Sequence, residues 1–276
     1  MNKSNFPQFD TQLAELNRFI LSLADEYHAG KIDTWGKLDE RVKAFFTPER
    51  MDEVETIVPG WKRMASYEDG VTLTHVMCVF LGLFIMPEFQ ELTVEQRQLA
   101  KWIVLFHDVE KVHVRGKRDS MHMSRSAVTA ANALPDIGFL VTGIYQVLIH
   151  AWSELTNYAY ISKEGPPEDQ IPDNSKLPEI IADINNMFGE DTPAALIVKG
   201  VLLHQSVNSV KAWPPPAPLT DEEIKLYFSK DLFPLLKVMN LADNEGWTIF
   251  SPGRETQRSE TLEAFERVEK LIAQPT

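Results

Sequence analysis

Lys101-Trp-Ile-Val-Leu-Phe-His-Asp-Val-Glu-Lys111 decides the reading of this chain. An apolar run, Trp102 to Phe106, leads directly into a histidine and an aspartate. Upstream, Thr93-Val-Glu-Gln96 has the spacing of a capping box and predicts a helix through Leu99, Trp102, Ile103 and Phe106. His107 and Asp108 therefore fall where an ordinary helix keeps core aliphatics. A buried imidazole or carboxylate must find a partner, or burial costs roughly 1–3 kcal/mol or more. The same pattern recurs elsewhere. His75 lies within Val71-Thr-Leu-Thr-His-Val-Met-Cys-Val-Phe80, His150 ends Tyr145-Gln-Val-Leu-Ile-His150, and Asp243 follows Met239-Asn-Leu-Ala242. For any one of these histidines alone, a lone core histidine bonded to backbone is the better reading. For His75, His107, Asp108 and Asp243 together, one shared metal accounts for all of them at once.

Working outward, helical spacing dominates, with no internal repeat and no convincing series of strands. Leu13, Leu16, Phe19, Ile20 and Leu23 form an apolar stripe that ends near Gly30. Thr192-Pro193 supplies an N-cap followed by proline at the first helical position, and Thr220-Asp-Glu-Glu223 is a second capping box. Pro234 restarts a helix through Leu235, Val238, Leu241 and Ala242. Residues 163–178 read as a solvated loop and Trp213-Pro-Pro-Pro-Ala-Pro218 as a stiff connector. The expected fold is all-α: one domain over 1–276, with its core at about 60–155 and 230–250 and a helical or loop insertion at about 155–230.

The chain has 276 residues, enough to bury a substantial core without a disulfide or metal to hold it. Cys78 is the only cysteine, which excludes an intrachain disulfide and suits a reducing compartment. The N-terminus lacks the apolar core of a signal peptide, and the greasiest stretch, 71–86, is too short to span a bilayer. A cytoplasmic protein without a membrane partner is expected. The net charge of −13 disfavours duplex nucleic acid as a partner. One local basic cluster, Lys111, Arg115, Lys117 and Arg118, follows His107-Asp108 directly.

Leu105-Phe-His-Asp-Val-Glu-Lys111 resembles the signature of the HD superfamily of metal-dependent phosphohydrolases, and the resemblance extends over roughly 70–155 and the segment around 243. It implies an HD-domain-like helical bundle with a metal on His75, the His107-Asp108 pair and Asp243. Met121-His-Met-Ser-Arg-Ser-Ala127 and Ile149-His150 are similar to the further histidines of members that hold two metals. By that resemblance Asp108 bridges, His75, His107 and Asp243 complete one site, and His122 and His150 form the other. A solvent-exposed helix start is the competing reading of His122. Two departures stand out: Glu110 replaces a residue that is often small, and Ala151 follows His150 where the cyclic-dinucleotide branch has a second histidine.

Such ligands suit Mn, Fe, Co, Ni or Zn, one or two ions, with Mg a further candidate. The expected activity is hydrolysis of a small phosphorylated substrate, a nucleotide or another phosphoester, with a hydroxide that such a metal would activate. Asp108 and Lys111 are the catalytic candidates. Lys111, Arg115, Lys117 and Arg118 are the candidates for phosphate contacts, and a solvated basic loop is the competing reading for the last three. His204 in Val201-Leu-Leu-His204 is a candidate pocket residue, with a satisfied core histidine as its alternative. His113 and His28 read as surface and helix-end residues, and Cys78 as a small buried hydrophobe. An HD-type di-iron oxygenase, or a regulatory module that binds a metal or nucleotide without chemistry, are the alternative functions.

Overall fold

The computed structural model describes residues 6–112, 119–159, 173–211, 215 and 217–274, and these are helices and their connections, with no strand among them. In chain order come α1 (Phe9–Gln12), α2 (Ala14–His28), α3 (Trp35–Phe45), α4 (Pro48–Ile57) and α5 (Trp61–Ser66). Then follow α6 (Val71–Ile85), α7 (Pro87–Glu91), α8 (Val94–Phe106), α9 (His122–Ile137) and α10 (Tyr145–Ala159). The last are α11 (Leu177–Phe188), α12 (Pro193–Leu203), α13 (Asp221–Tyr227), α14 (Phe233–Thr248) and α15 (Arg254–Ile272). The expected caps are present: Thr93 and Thr220 form capping boxes, Thr192 accepts from the Ala195 amide, and Gly30 takes a positive φ just past α2. None of the described helices is long and apolar enough to cross a membrane.

Residues Thr72 to Leu83 of α6, Gln98 to Phe106 of α8 and Ala194 to Leu203 of α12 are all buried. A helix apolar on every side belongs inside a protein, so these three form the centre. α6 packs on α14, while α12 packs on both α8 and α9. Outer helices close the remaining faces: α2 and α3 lie on α6, α10 and α11 lie together over α9 and α12, and α15 lies on α14. α12 belongs to the stretch read from sequence as an insertion, yet it is a central helix packed on α8 and α9. Of the two expected connectors, 163–172 and residues 213, 214 and 216 lie outside the described residues. From Asn174 the chain is already turning into α11.

The central helices approach closely because glycine faces the contact. A Cβ added at Gly200 would stand 2.5 Å from Ile103 Cδ1, 2.8 Å from Cγ1 and 3.3 Å from Cγ2. Rotating the isoleucine ethyl group does not clear all three. Gly200→Ala should therefore cost net stability of about 1 kcal/mol, because overpacking of about 1–3 kcal/mol exceeds alanine's helix-propensity advantage of about 1 kcal/mol. Urea denaturation measures it, and a variant as stable as the parent contradicts this account of the α8–α12 contact.

Candidate metal centre

Five segments converge on one buried point. α6 supplies His75 from its interior, the end of α8 supplies His107 and Asp108, and α9 begins with His122. The residue capping α12 is His204, and α14 supplies Asp243. All four imidazoles and Asp108 are buried, and Asp243 is mostly so. The donor atoms fall into two groups, His75, His107 and Asp243 in one and Asp108, His122 and His204 in the other. Within each group they lie within 4.8 Å of one another.

Helix ends orient three of the rings. The last carbonyls of a helix lack intrahelical partners. His107 Nδ1 donates to the Val104 carbonyl at 2.7 Å, and His204 Nδ1 donates to the Val201 carbonyl at 2.7 Å. His122 Nδ1 donates to the Asp119 carbonyl at 2.6 Å. Each bond puts a proton on Nδ1 and turns Nε2 toward the cluster, the nitrogen through which a histidine so held would bind a metal. His107 Nε2 is buried without a hydrogen-bond partner, and the Nε2 atoms of His122 and His204 face each other at 3.3 Å.

Asp108 lies between the groups. Its Oδ1 is 3.1 Å from His122 Nε2, and its Oδ2 is 3.5 Å from His75 Nε2 and 3.6 Å from His107 Nε2. Asp243 Oδ1 closes the first group at 3.1 Å from His75 Nε2 and 3.9 Å from His107 Nε2. Metal–ligand bonds of about 2.0–2.2 Å put neighbouring ligands about 3.0–3.5 Å apart, so the spacing fits one ion per group with Asp108 shared. Burial alone would raise the pKa of Asp108, but Lys111, His107 and His122 together hold it well below the usual carboxylate range. Burial likewise opposes ionisation of Asp243, and the hydrogen bond and charge of His75 overcome it.

Lys111 stands beside this pair with Nζ 2.6 Å from Asp108 Oδ2, where the sequence reading puts a catalytic lysine. Arg115, Lys117, Arg118 and His113 lie outside the described residues. The described residues on either side are joined through Asp119, whose carboxylate accepts from the Val112 amide at 2.8 Å and the Met121 amide at 3.1 Å and pairs with Arg125. Glu110, the departure from the family pattern, pairs with Arg63 and accepts from Thr129 at 2.8 Å, so it ties the end of α8 to α5 and α9. Cys78 is buried, with its Sγ near the Glu245 carbonyl and its thiol pushed up by burial, and it stands outside both groups.

His150 is not part of the cluster. Its side chain is 88% exposed on the outer face of α10 and lies beside Glu154. His204, assigned from sequence to substrate, stands in the ligand group instead. The two segments differ in polarity and in burial. α12 carries a single charged residue, Lys199, so the histidine that ends it is buried. α10 carries Gln146, Ser153, Glu154 and Asn157, and Val147 in its apolar run is exposed. Sequence reasoning also missed Asp119, Gly246 and Trp247. A Cβ at Gly246 would stand 2.7 Å from His75 Cε1, so glycine there lets α14 lie against the His75 ring.

Comparison with protein-family models, curated proteins and solved structures gives no match to this chain. The site is therefore argued from its own geometry.

Burial first, then the His122 and His107 rings, push His204 down to about 3. Burial also lowers His107. A histidine kept neutral in the fold takes up its proton first in the unfolded chain. Its contribution is complete above the unfolded value of about 6.5 and is lost as pH falls from there toward about 3. His204 alone should remove about 1.4 kcal/mol per pH unit in that window. Denaturation of chelator-treated protein between pH 6 and 5 should approach this slope, and a flat profile contradicts the assignment of a neutral ring.

Proposed function

We propose that this protein is a metal-dependent phosphohydrolase of the HD type, with a bundle of that family's kind and a dinuclear centre on His75, His107, Asp108, His122, His204 and Asp243. One observation carries the reading. Two buried ring nitrogens, each on a ring whose Nδ1 is tied to a backbone carbonyl, face each other at 3.3 Å beside a carboxylate that also faces a second such group. A divalent cation held between them would give both nitrogens and the carboxylate a common partner. Burial pushes the His204 pKa down to about 3, so its ring keeps a lone pair for such an ion at neutral pH. Imidazole with carboxylate suits Mn, Fe, Co, Ni or Zn.

A pair of divalent ions would supply Lewis acidity and water made acidic enough to attack at neutral pH. The chain's own residues do the rest. Asp108 spans the two groups and fixes their separation. Lys111 stays cationic: burial pulls its pKa down, and Asp108 and Asp243 more than restore it. Its side chain is partly open to solvent beside the cluster, where an ammonium can hold a phosphoryl oxygen. Arg115, Lys117 and Arg118 offer more cations directly along the chain, which favours a phosphate ester over an uncharged substrate.

Protein reconstituted with Mn or Co should release phosphate or a nucleoside monophosphate from a member of a nucleotide and small-phosphoester panel without oxygen. Lys111→Ala should raise KM, lower kcat, or both, with metal content unchanged. Turnover that strictly consumes O2 and cleaves no ester overturns the hydrolase reading and moves the chain to the di-iron oxygenase branch.

A further inference from the structure

Among the four clustered histidines, His75 is the exception. The other three fix their rings through Nδ1 bonds to backbone carbonyls, whereas His75 Nδ1 is buried without a hydrogen-bond partner. What lies on the His75 ring is Trp247, with centroids 4.1 Å apart and planes 17° from parallel. Trp247 is one helical turn beyond Asp243 on α14, so both project from one face of that helix. Asp243 meets Nε2 of His75 and Trp247 covers its plane, while Gly246 between them permits the approach. The same indole lies under Lys111, whose Nζ is 5.7 Å from the ring centroid. Trp35 of α3 stacks on it nearly parallel, with centroids 5.9 Å apart and planes 5° from parallel.

We infer that Trp247 is a positioning residue of the candidate metal centre: its indole sets the ring plane of His75 in place of the missing Nδ1 bond and steadies Lys111 beside Asp108. Burial does not account for the residue, since Trp247 is 49% exposed. Stacking of near-parallel rings is specific in geometry, and the ammonium over an indole adds a cation–π attraction. A histidine held by its plane keeps its Nε2 aimed at the first group, as a hydrogen-bonded partner holds the other three. The inference rests on the metal reading above, because it assigns Trp247 to one group only, that of His75, His107 and Asp243.

The test is a Co(II) titration of the full chain, followed by calorimetry and by visible absorption of the bound ion. Wild type, Trp247→Phe, Trp247→Leu, Trp247→Ala and His75→Ala are compared, with circular dichroism checking the fold. Wild type should take two ions. Trp247→Ala and Trp247→Leu should weaken one of them about 10- to 100-fold, as expected for loss of a residue that orients a ligand. They should also change the absorption of the same ion that His75→Ala removes, and leave the other ion alone. Trp247→Phe keeps an aromatic face and should retain both. Leucine keeps apolar bulk without a ring, so it carries the test if the alanine variant does not fold. Two ions with wild-type affinity and spectrum in Trp247→Leu overturn the inference and leave the metal reading intact. No Co(II) bound by wild type overturns the metal reading, and the inference falls with it.

Discussion

Asp108 is the constraint on which the centre depends. It is a fully buried carboxylate, ionised well below the ordinary carboxylate range, at the point where a central helix ends. An uncompensated buried charge costs several kcal/mol, so every neighbouring element has to answer it. Lys111 does so from the same turn of chain, His75 and His107 approach one oxygen, and His122 the other. Four imidazole rings and two carboxylates converge in a set crowded with metal-donor atoms and served by one ammonium, that of Lys111. A divalent ion would give those donors a common partner.

The packing around Asp108 keeps the donors in register. α6 and α14 meet closely enough that Gly246 has no room for a side chain, and α8 and α12 do the same at Gly200. α14 is anchored on its other side as well. Glu245 is buried and accepts from Arg254 Nε of α15 at 2.6 Å, while Arg258 holds Glu88 of α7 at 2.6 Å. Removing one member of such a network leaves a charge without its partner, which is where the large stability losses arise. Rigid helices, and not loops, therefore carry all six candidate donors or place them at their ends. That rigidity is what a centre with fixed ligand spacing requires.

Much of this was legible from the residues. Capping boxes at Thr93 and Thr220 and the apolar runs around His75 and His107 gave the helical class and four residues of the buried cluster. His122 was also identified, although a solvent-exposed helix start competed with it. The sixth donor was misassigned because His150 and His204 both end apolar runs, and periodicity within a single helix does not say which helix is central. That depends on partners distant in sequence: α12 is enclosed by α8 and α9, while α10 keeps a face in solvent. Trp247 was invisible for the same reason. Its role comes from the crossing of α6 and α14, a tertiary fact with no local signature beyond Gly246.

The central claim is that two ions share Asp108. Anomalous X-ray scattering from crystals grown with Mn or Co tests it most directly. The account predicts two peaks, one within about 2.0–2.3 Å of His75, His107 and Asp243 donors and the other within that distance of His122 and His204 donors, both touching Asp108. A single peak away from Asp108, or a peak at His150 and Glu154 with none at the buried cluster, contradicts it.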